Sequence, residues 1–213
     1  MEQTIPTATA ANDKAPFLGE IVESSLSSWT AQAWNWKLFP PFGSLVVAHA
    51  ESTYIFGLVH SITSGALDGN RTPYIYQKTE AELMAEQPHI FAFLKTTFTC
   101  ATIGFEKQGT IICQLSPEPP RIHTFVAPAT TQQIAHFLDN ADFLHLLFST
   151  QLSHPVEELL LAFIVQVINL NIMSTDKLRD KLHTHIDKLY FLTNNDYRRL
   201  TLFAQRVERL MSH

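Results

Sequence analysis

Ten histidines, two cysteines and several paired carboxylates make metal binding and acid–base catalysis the first chemistries to test on this chain. His183 and His185 lie two apart, which on a helix turns them about 200° from one another, so they cannot grip one ion as an i, i+4 pair would. Neither H-E-x-x-H nor Cys-x-x-Cys occurs. Cys100 and Cys113 come within about one pairing step across the hairpin expected at 106–109, but two thiols do not fill a four-coordinate zinc site. Ser153-His154 sets a hydroxyl beside an imidazole. Neighbours at a helix start do not adopt triad geometry, no G-x-S-x-G is present, and the pair reads as capping. Glu157-Glu158 follows Pro155 in a first helical turn, where acids compensate the helix dipole; Asp139 with Asp142 is the other acidic pair. No catalytic residue, metal or cofactor is expected from these patterns.

P-loop nucleotide chemistry is excluded more firmly. The chain has seven glycines, at 19, 43, 57, 65, 69, 104 and 109, and none is followed by Lys, so G-x-x-x-x-G-K-[ST] cannot be drawn and no P-loop cradles a phosphate.

The 213 residues are 46% hydrophobic, which suits one large or two small folded domains. Residues 1–15, rich in Thr and Ala and without an apolar run, read as a disordered leader, and as neither a signal nor a transit peptide. Residues 159–173 are the most apolar stretch, yet they fall short of the roughly 20 residues a span requires and carry Gln166, Asn169 and Asn171, so a buried helix is expected. Without a secretory signal, both cysteines are expected free in the cytoplasm. The net charge of −5 argues against a whole-chain affinity for nucleic acid. It is unevenly spread: residues 176–213 carry eight basic and five acidic side chains (+3), leaving seven and fifteen (−8) before them.

Two periodicities divide the chain. Short, partly alternating apolar runs at 18–24, 29–38, 44–48, 53–61, 98–105 and 110–115 predict six strands and a small antiparallel barrel. Ala31 and Ala33 share one face of the second strand, toward a tight interior, with Gln32, Trp34, Trp36 and Leu38 on the other. Pro40 to Gly43 mark a corner. Residues 62–97 are an insertion, loop-like at first and helical from 80 to 95 with a break at Pro88. After Pro128 the period becomes three to four. A capping box at Thr130 and Gln133 opens a layer of four or five helices, including one started by Thr175 or Asp176 and one by Asn195. The fold class is therefore α+β: a leader over 1–15, a barrel over 16–126 and a helical domain over 127–213.

Gly19-Glu20-Ile21-Val22-Glu23-Ser24-Ser25, Pro40-Pro41-Phe42-Gly43-Ser44-Leu45-Val46, Gly57-Leu58-Val59 and Pro119-Pro120-Arg121-Ile122-His123 together resemble the HAS barrel, the domain shared by HerA-type DNA motors and rotary ATP synthase subunits. More particularly, the chain resembles stand-alone HAS-barrel proteins of the cyanobacterial type. The resemblance covers about 17–126 and implies a barrel that performs no chemistry but holds ring neighbours and docks partner proteins. The motor domain is missing here and helices stand in its place.

A non-catalytic adaptor or assembly factor is the reading favoured by these patterns, with other proteins, a larger motor assembly or a second copy as partners. The alternative is a nucleic-acid accessory factor using Arg198, Arg199, Arg206 and Arg209, and an enzyme of unrecognised type stands third. Trp29, Trp34 and Trp36 would form either a base-stacking platform or a packing and interface cluster, and with Lys37 the lone cation nearby the second is favoured. Alternation after Pro120 puts Arg121 and His123 on one face and Ile122 on the other; if Ile122 and Phe125 seal the core, the polar pair either caps a barrel edge or docks a partner. The candidate partner-binding residues are Arg121, His123, Trp34, Trp36, Arg198 and Arg199.

Overall fold

A computed structural model describes residues 17–50, 53–70, 72–193 and 196–211. The expected leader and the start of the last helix at Asn195 lie outside them. Among the described residues there are seven strands: β1 (Gly19–Ser24), β2 (Ser28–Ala33), β3 (Leu45–His49), β4 (Thr53–Ala66), β5 (Leu94–Lys107), β6 (Thr110–Ile112) and β7 (Phe125–Pro128). Every pairing is antiparallel, in the order β2-β1-β7-β3-β4-β5-β6, and an additional β2–β5 pairing closes six of them into a ring.

The six-stranded barrel foreseen in the sequence is thus present with one member exchanged. β6 pairs only with β5 and lies outside the ring, whereas β7, four residues ending on a proline, bridges β1 and β3. Pro128 terminates β7, so its missing N–H does not interrupt the barrel's ladder.

Alternation along β3 shows how the barrel is both filled and covered. Val46 and Ala48 point into the barrel with Ile21, Trp29, Ala31, Val59 and Phe98, while Leu45 and Val47 face outward into a second core shared with the helices. Ala31 and Ala33 are buried inside, as their size predicts. The indole of Trp29 fills the interior over Gly57, where a Cβ would come within 2.5 Å of its ring.

The helical layer covers the outer face of β3, β4 and β5. It comprises α2 (Thr131–Asp139), α3 (Leu144–Ser149), α4 (Val156–Asn169), α5 (Thr175–Thr184), α6 (Ile186–Leu192) and α7 (Tyr197–Met211); α1 (Glu80–Glu86) belongs to the insertion. Thr130 and Gln133 form the expected capping box. Two of the expected helices are each broken, one by a 3-10 turn at Ala141–Phe143 and the other at His185, whose backbone N–H is shared between two carbonyls of the preceding turn. α4 is the centre of the layer: Leu159, Leu160, Leu161, Phe163, Ile164 and Val167 are all buried. The expected corner at Gly43 has φ +82° and lies so close to α4 that a Cβ would meet the Ala162 backbone at 2.5 Å.

Candidate functional site

The six expected site residues fall in three places. Trp34 and Trp36 do not continue β2, which ends at Ala33; Lys37 N–H donates to Asn35 Oδ1 at 2.9 Å and Asn35 bridges Leu38, so the chain turns before reaching Pro40. The three tryptophans therefore separate, with Trp29 inside the barrel, Trp34 on its outer wall and Trp36 against the insertion.

On the wall, Glu20 joins two of the expected residues. The Trp34 indole N–H donates to Glu20 Oε1 at 3.0 Å, and His123 Nδ1 lies 3.2 Å from Glu20 Oε2. Phe17 and Phe125 pack on the Trp34 ring with centroids at 6.2 and 5.2 Å. Ile122 and Phe125 are both exposed and do not seal the core, contrary to expectation. The reason is local. Residues 121–124 form a tight turn in place of the alternating strand: Thr124 N–H donates to Arg121 O at 3.1 Å, His123 takes φ +67°, and its N–H donates to Ile21 O at 2.9 Å. The turn is tied to β1 through Ser24 Oγ, which donates to Pro120 O at 2.5 Å. Arg121 and His123 both line a cleft of about 450 Å³ at the end of the barrel, beside His49 and Lys107.

The insertion is a lobe carried on a two-stranded arm. β4 and β5 are longer than the sequence predicted and remain paired beyond the last β2–β5 pair at Thr97, from Ser64↔Thr96 to Ala66↔Leu94. Thr79 caps α1 through a capping box with Glu82, and a 3-10 turn over Pro88–Phe93 follows; neither buries a residue. Trp36 stacks on Phe91 with centroids 5.4 Å apart and planes 10° from parallel. Lys37 reaches over the Trp36 ring at 5.1 Å and pairs with Glu80, fastening the lobe to the corner. Tyr74, Tyr76, Leu83, Phe91 and Phe93 line a cleft of about 390 Å³. Tyr74 and Ile75 are 76% and 80% exposed, and Phe93 is 61%.

On the helical face, most of the basic groups are engaged. Arg206 forks onto Glu158 at 2.5 and 2.8 Å, and Arg199 pairs with Glu157, so α7 is clamped to the first turn of α4. The Arg206 hydrogen bond holds the Glu158 carboxyl below its usual range. Arg198 is exposed. Asp139 and Asp142 are each taken up by a lysine, Lys181 and Lys188 respectively. His183 turns toward Glu208 and His185 toward Leu138 O, and no cluster of three or more metal-ligating side chains occurs among the described residues.

Ser153 does not cap α4. Its Oγ lies 3.3 Å and its N 3.4 Å from Nδ1 of His60, a buried residue of β4 whose pKa is lowered by burial and by His154. This Ser–His contact lacks an orienting acid and serves to pin the loop before α4 to the barrel. The cysteines do not meet either: Cys113 comes opposite Gly104, four residues beyond the expected partner, and Cys100 lies inside the barrel. The shift arises because the hairpin turn is tight, with Phe105 opposite Ile112.

Sequence reasoning missed Glu20, Phe17 and Phe125 as the support of Trp34, because the β1–β2 pairing brings Glu20 to Trp34 and the non-local β1–β7 pairing brings Phe125 to Phe17. The lobe carried a usable signal: Tyr74, Tyr76, Phe91 and Phe93 crowd an insertion too short to bury them. No helix among the described residues is long and apolar enough to cross a membrane. No family model matches the chain, and no match to it is found among curated proteins.

Proposed function

We propose that this protein is a non-catalytic interaction module, an adaptor or assembly factor built on a HAS-like barrel, which presents the lobe over residues 67–93 to an apolar surface of a partner protein. The observation that carries this reading is the outward set Tyr74, Ile75 and Phe93 around an aromatic cleft, on an element that buries none of its helical residues. Aromatic side chains held on a fixed arm lose little rotamer entropy on docking, which favours them as anchors. The partner belongs to a larger assembly or is a second copy of the chain, and the site of action is the cytoplasm. Two unpaired thiols on opposite sides of the barrel wall support a reducing compartment. The ion pairs that occupy Arg199 and Arg206 weigh against the nucleic-acid reading, which would need those groups at phosphates.

The test is affinity capture from the source cells with the wild-type chain and with a Tyr74→Ser, Ile75→Ser, Phe93→Ser variant. Sedimentation of the purified proteins reads self-association. Expected is a partner, or a dimer, retained through a salt wash and lost in the variant, since apolar docking lacks the steep salt dependence of counterion release. Identical capture and sedimentation by both proteins would rule the lobe out as the docking surface. Binding lost on the salt wash and restored by added nucleic acid would move the assignment to the basic helices.

A further inference from the structure

The cleft at the barrel mouth is a different surface from the lobe, and its charge is opposite in sign to the net charge of the chain. The chain carries a net charge of −5, yet the cleft of about 450 Å³ is lined by the cations Lys107 and Arg121 and the imidazoles His49 and His123, against one acid, Glu118, among the described residues. His123 already faces Glu20, so the cleft's positive charge rests on Lys107 and Arg121 against Glu118; that excess favours an anion, and a concave wall focuses it. No ion pair to Lys107 or Arg121 is seen among the described residues, whereas elsewhere on the surface Lys37, Lys78, Lys181, Lys188, Arg199 and Arg206 each hold a carboxylate. Thr53, Ser116 and Thr124 add hydroxyl donors to the same wall.

The scaffold around the cleft is fixed in a way that an ordinary surface loop is not. Pro117, Pro119 and Pro120 stiffen the approach, and Ser24 ties the Pro120 carbonyl to β1. His123 then takes a left-handed conformation that few non-glycine residues adopt, held by its N–H on Ile21 O and its ring on Glu20. Arg121 and Lys107 are thus delivered to one concavity from two rigid elements, the proline-braced turn and the end of β5. A guanidinium forks onto paired oxygens and an ammonium serves as a point charge, a combination suited to a ligand that presents several anionic oxygens.

We infer that this cleft binds a small polyanion bearing clustered phosphate or carboxylate oxygens, with Arg121 and Lys107 as its principal contacts. The inference is independent of the lobe. It assigns Arg121 a ligand, so its failure leaves the docking reading untouched.

The experiment titrates the full chain at neutral pH and constant ionic strength with pyrophosphate as the phosphoryl probe and citrate as the carboxylate probe, reading the melting temperature and amide chemical shifts. Expected is a saturable rise in melting temperature with at least one probe and shift changes concentrated in residues 105–107 and 116–124. Arg121→Gln and Lys107→Gln should each weaken binding about tenfold, the scale of one lost charge-assisted contact. Lys177→Gln, an exposed cation on α5, serves as the control and should bind as the wild type does. The probe that saturates identifies the oxygen source. Saturation by neither, or equal loss in the Lys177 variant, overturns the inference. A correctly folded Arg121→Gln protein that binds unchanged overturns it as well; chemical-shift dispersion reports that fold directly.

Discussion

Gly57 shows how a single missing side chain sets the content of the barrel. It lies where β4 bulges, and a Cβ there would approach the Trp29 ring at 2.5 Å and the Cys100 Cβ at 2.7 Å. The largest interior side chain is therefore accommodated by the smallest residue facing it, across the strand that separates them. In a strand without such a neighbour, replacing Gly by Ala lowers the entropy of the unfolded chain and stabilises. Here the overlap dominates, because neither the indole nor Cys100 can withdraw from a packed interior. Gly57→Ala is expected to cost about 1–3 kcal/mol, read as a lower urea midpoint at unchanged slope. A midpoint equal to or above the wild type would mean that the indole has room to move, and the interior would then be looser than these distances imply. Another close-packed glycine, Gly43, is legible in sequence as part of a Pro-Pro-Phe-Gly corner, but its contact with Ala162 is not, since it depends on where α4 comes to rest.

Between elements, the contact of β4 with the loop before α4 passes through His60. Its Nδ1 accepts from Ser153 and its burial favours the neutral ring, so the folded pKa lies below the ordinary value of 6.5. The unfolded chain consequently binds more protons as the pH falls below about 6.5, and stability decreases with acidification until the folded pKa is reached. A fall in urea midpoint from about pH 7.5 to about pH 5.5, flattened in His60→Gln, is the expected result. The clamp of Glu158 on Arg206 works in a separate window. Its carboxyl is held below 4.5, so its contribution is present at neutral pH and is lost only as the pH drops through 4.5 and lower. Equal pH slopes for wild type and His60→Gln would show that another group carries the dependence. At this scale the sequence is informative about periodicity and poor about closure. The stripes of α2, α4 and α7 and the alternation of β3 follow from residue order. Membership of the ring does not: β6 has the local hairpin signal, while β7 is four residues that follow a proline-rich loop and end on a proline, placed by partners more than seventy residues away. Trp34 and Trp36 lie off the predicted strand for a local reason, as a side-chain bond at Asn35 ends a strand that the hydrophobic pattern would continue.

Across the molecule, the outer face of the barrel and the inner face of the helical layer are one core, in which Phe56 meets Phe137 with ring centroids 5.0 Å apart. Residues 17–129 expressed alone would expose Leu45, Val47, Phe56, Leu58, Ala101 and Ile103 to water, and should be less soluble and melt lower than the full chain. An isolated barrel that matches the full chain in both respects would show that the shared core contributes nothing to it. The arm formed by β4 and β5 has a mechanical consequence. Both strands leave the barrel at the same end and meet in the lobe, each about 45 Å long at some 3.3 Å per residue. A pull on the lobe therefore draws both strands the same way and does not unzip them from each other. The tension passes to β3 beside β4 and β2 beside β5, where hydrogen bonds lie across the direction of load and must slide together to fail. Whatever grips the tip is coupled to the barrel in shear, the stiff direction of a sheet.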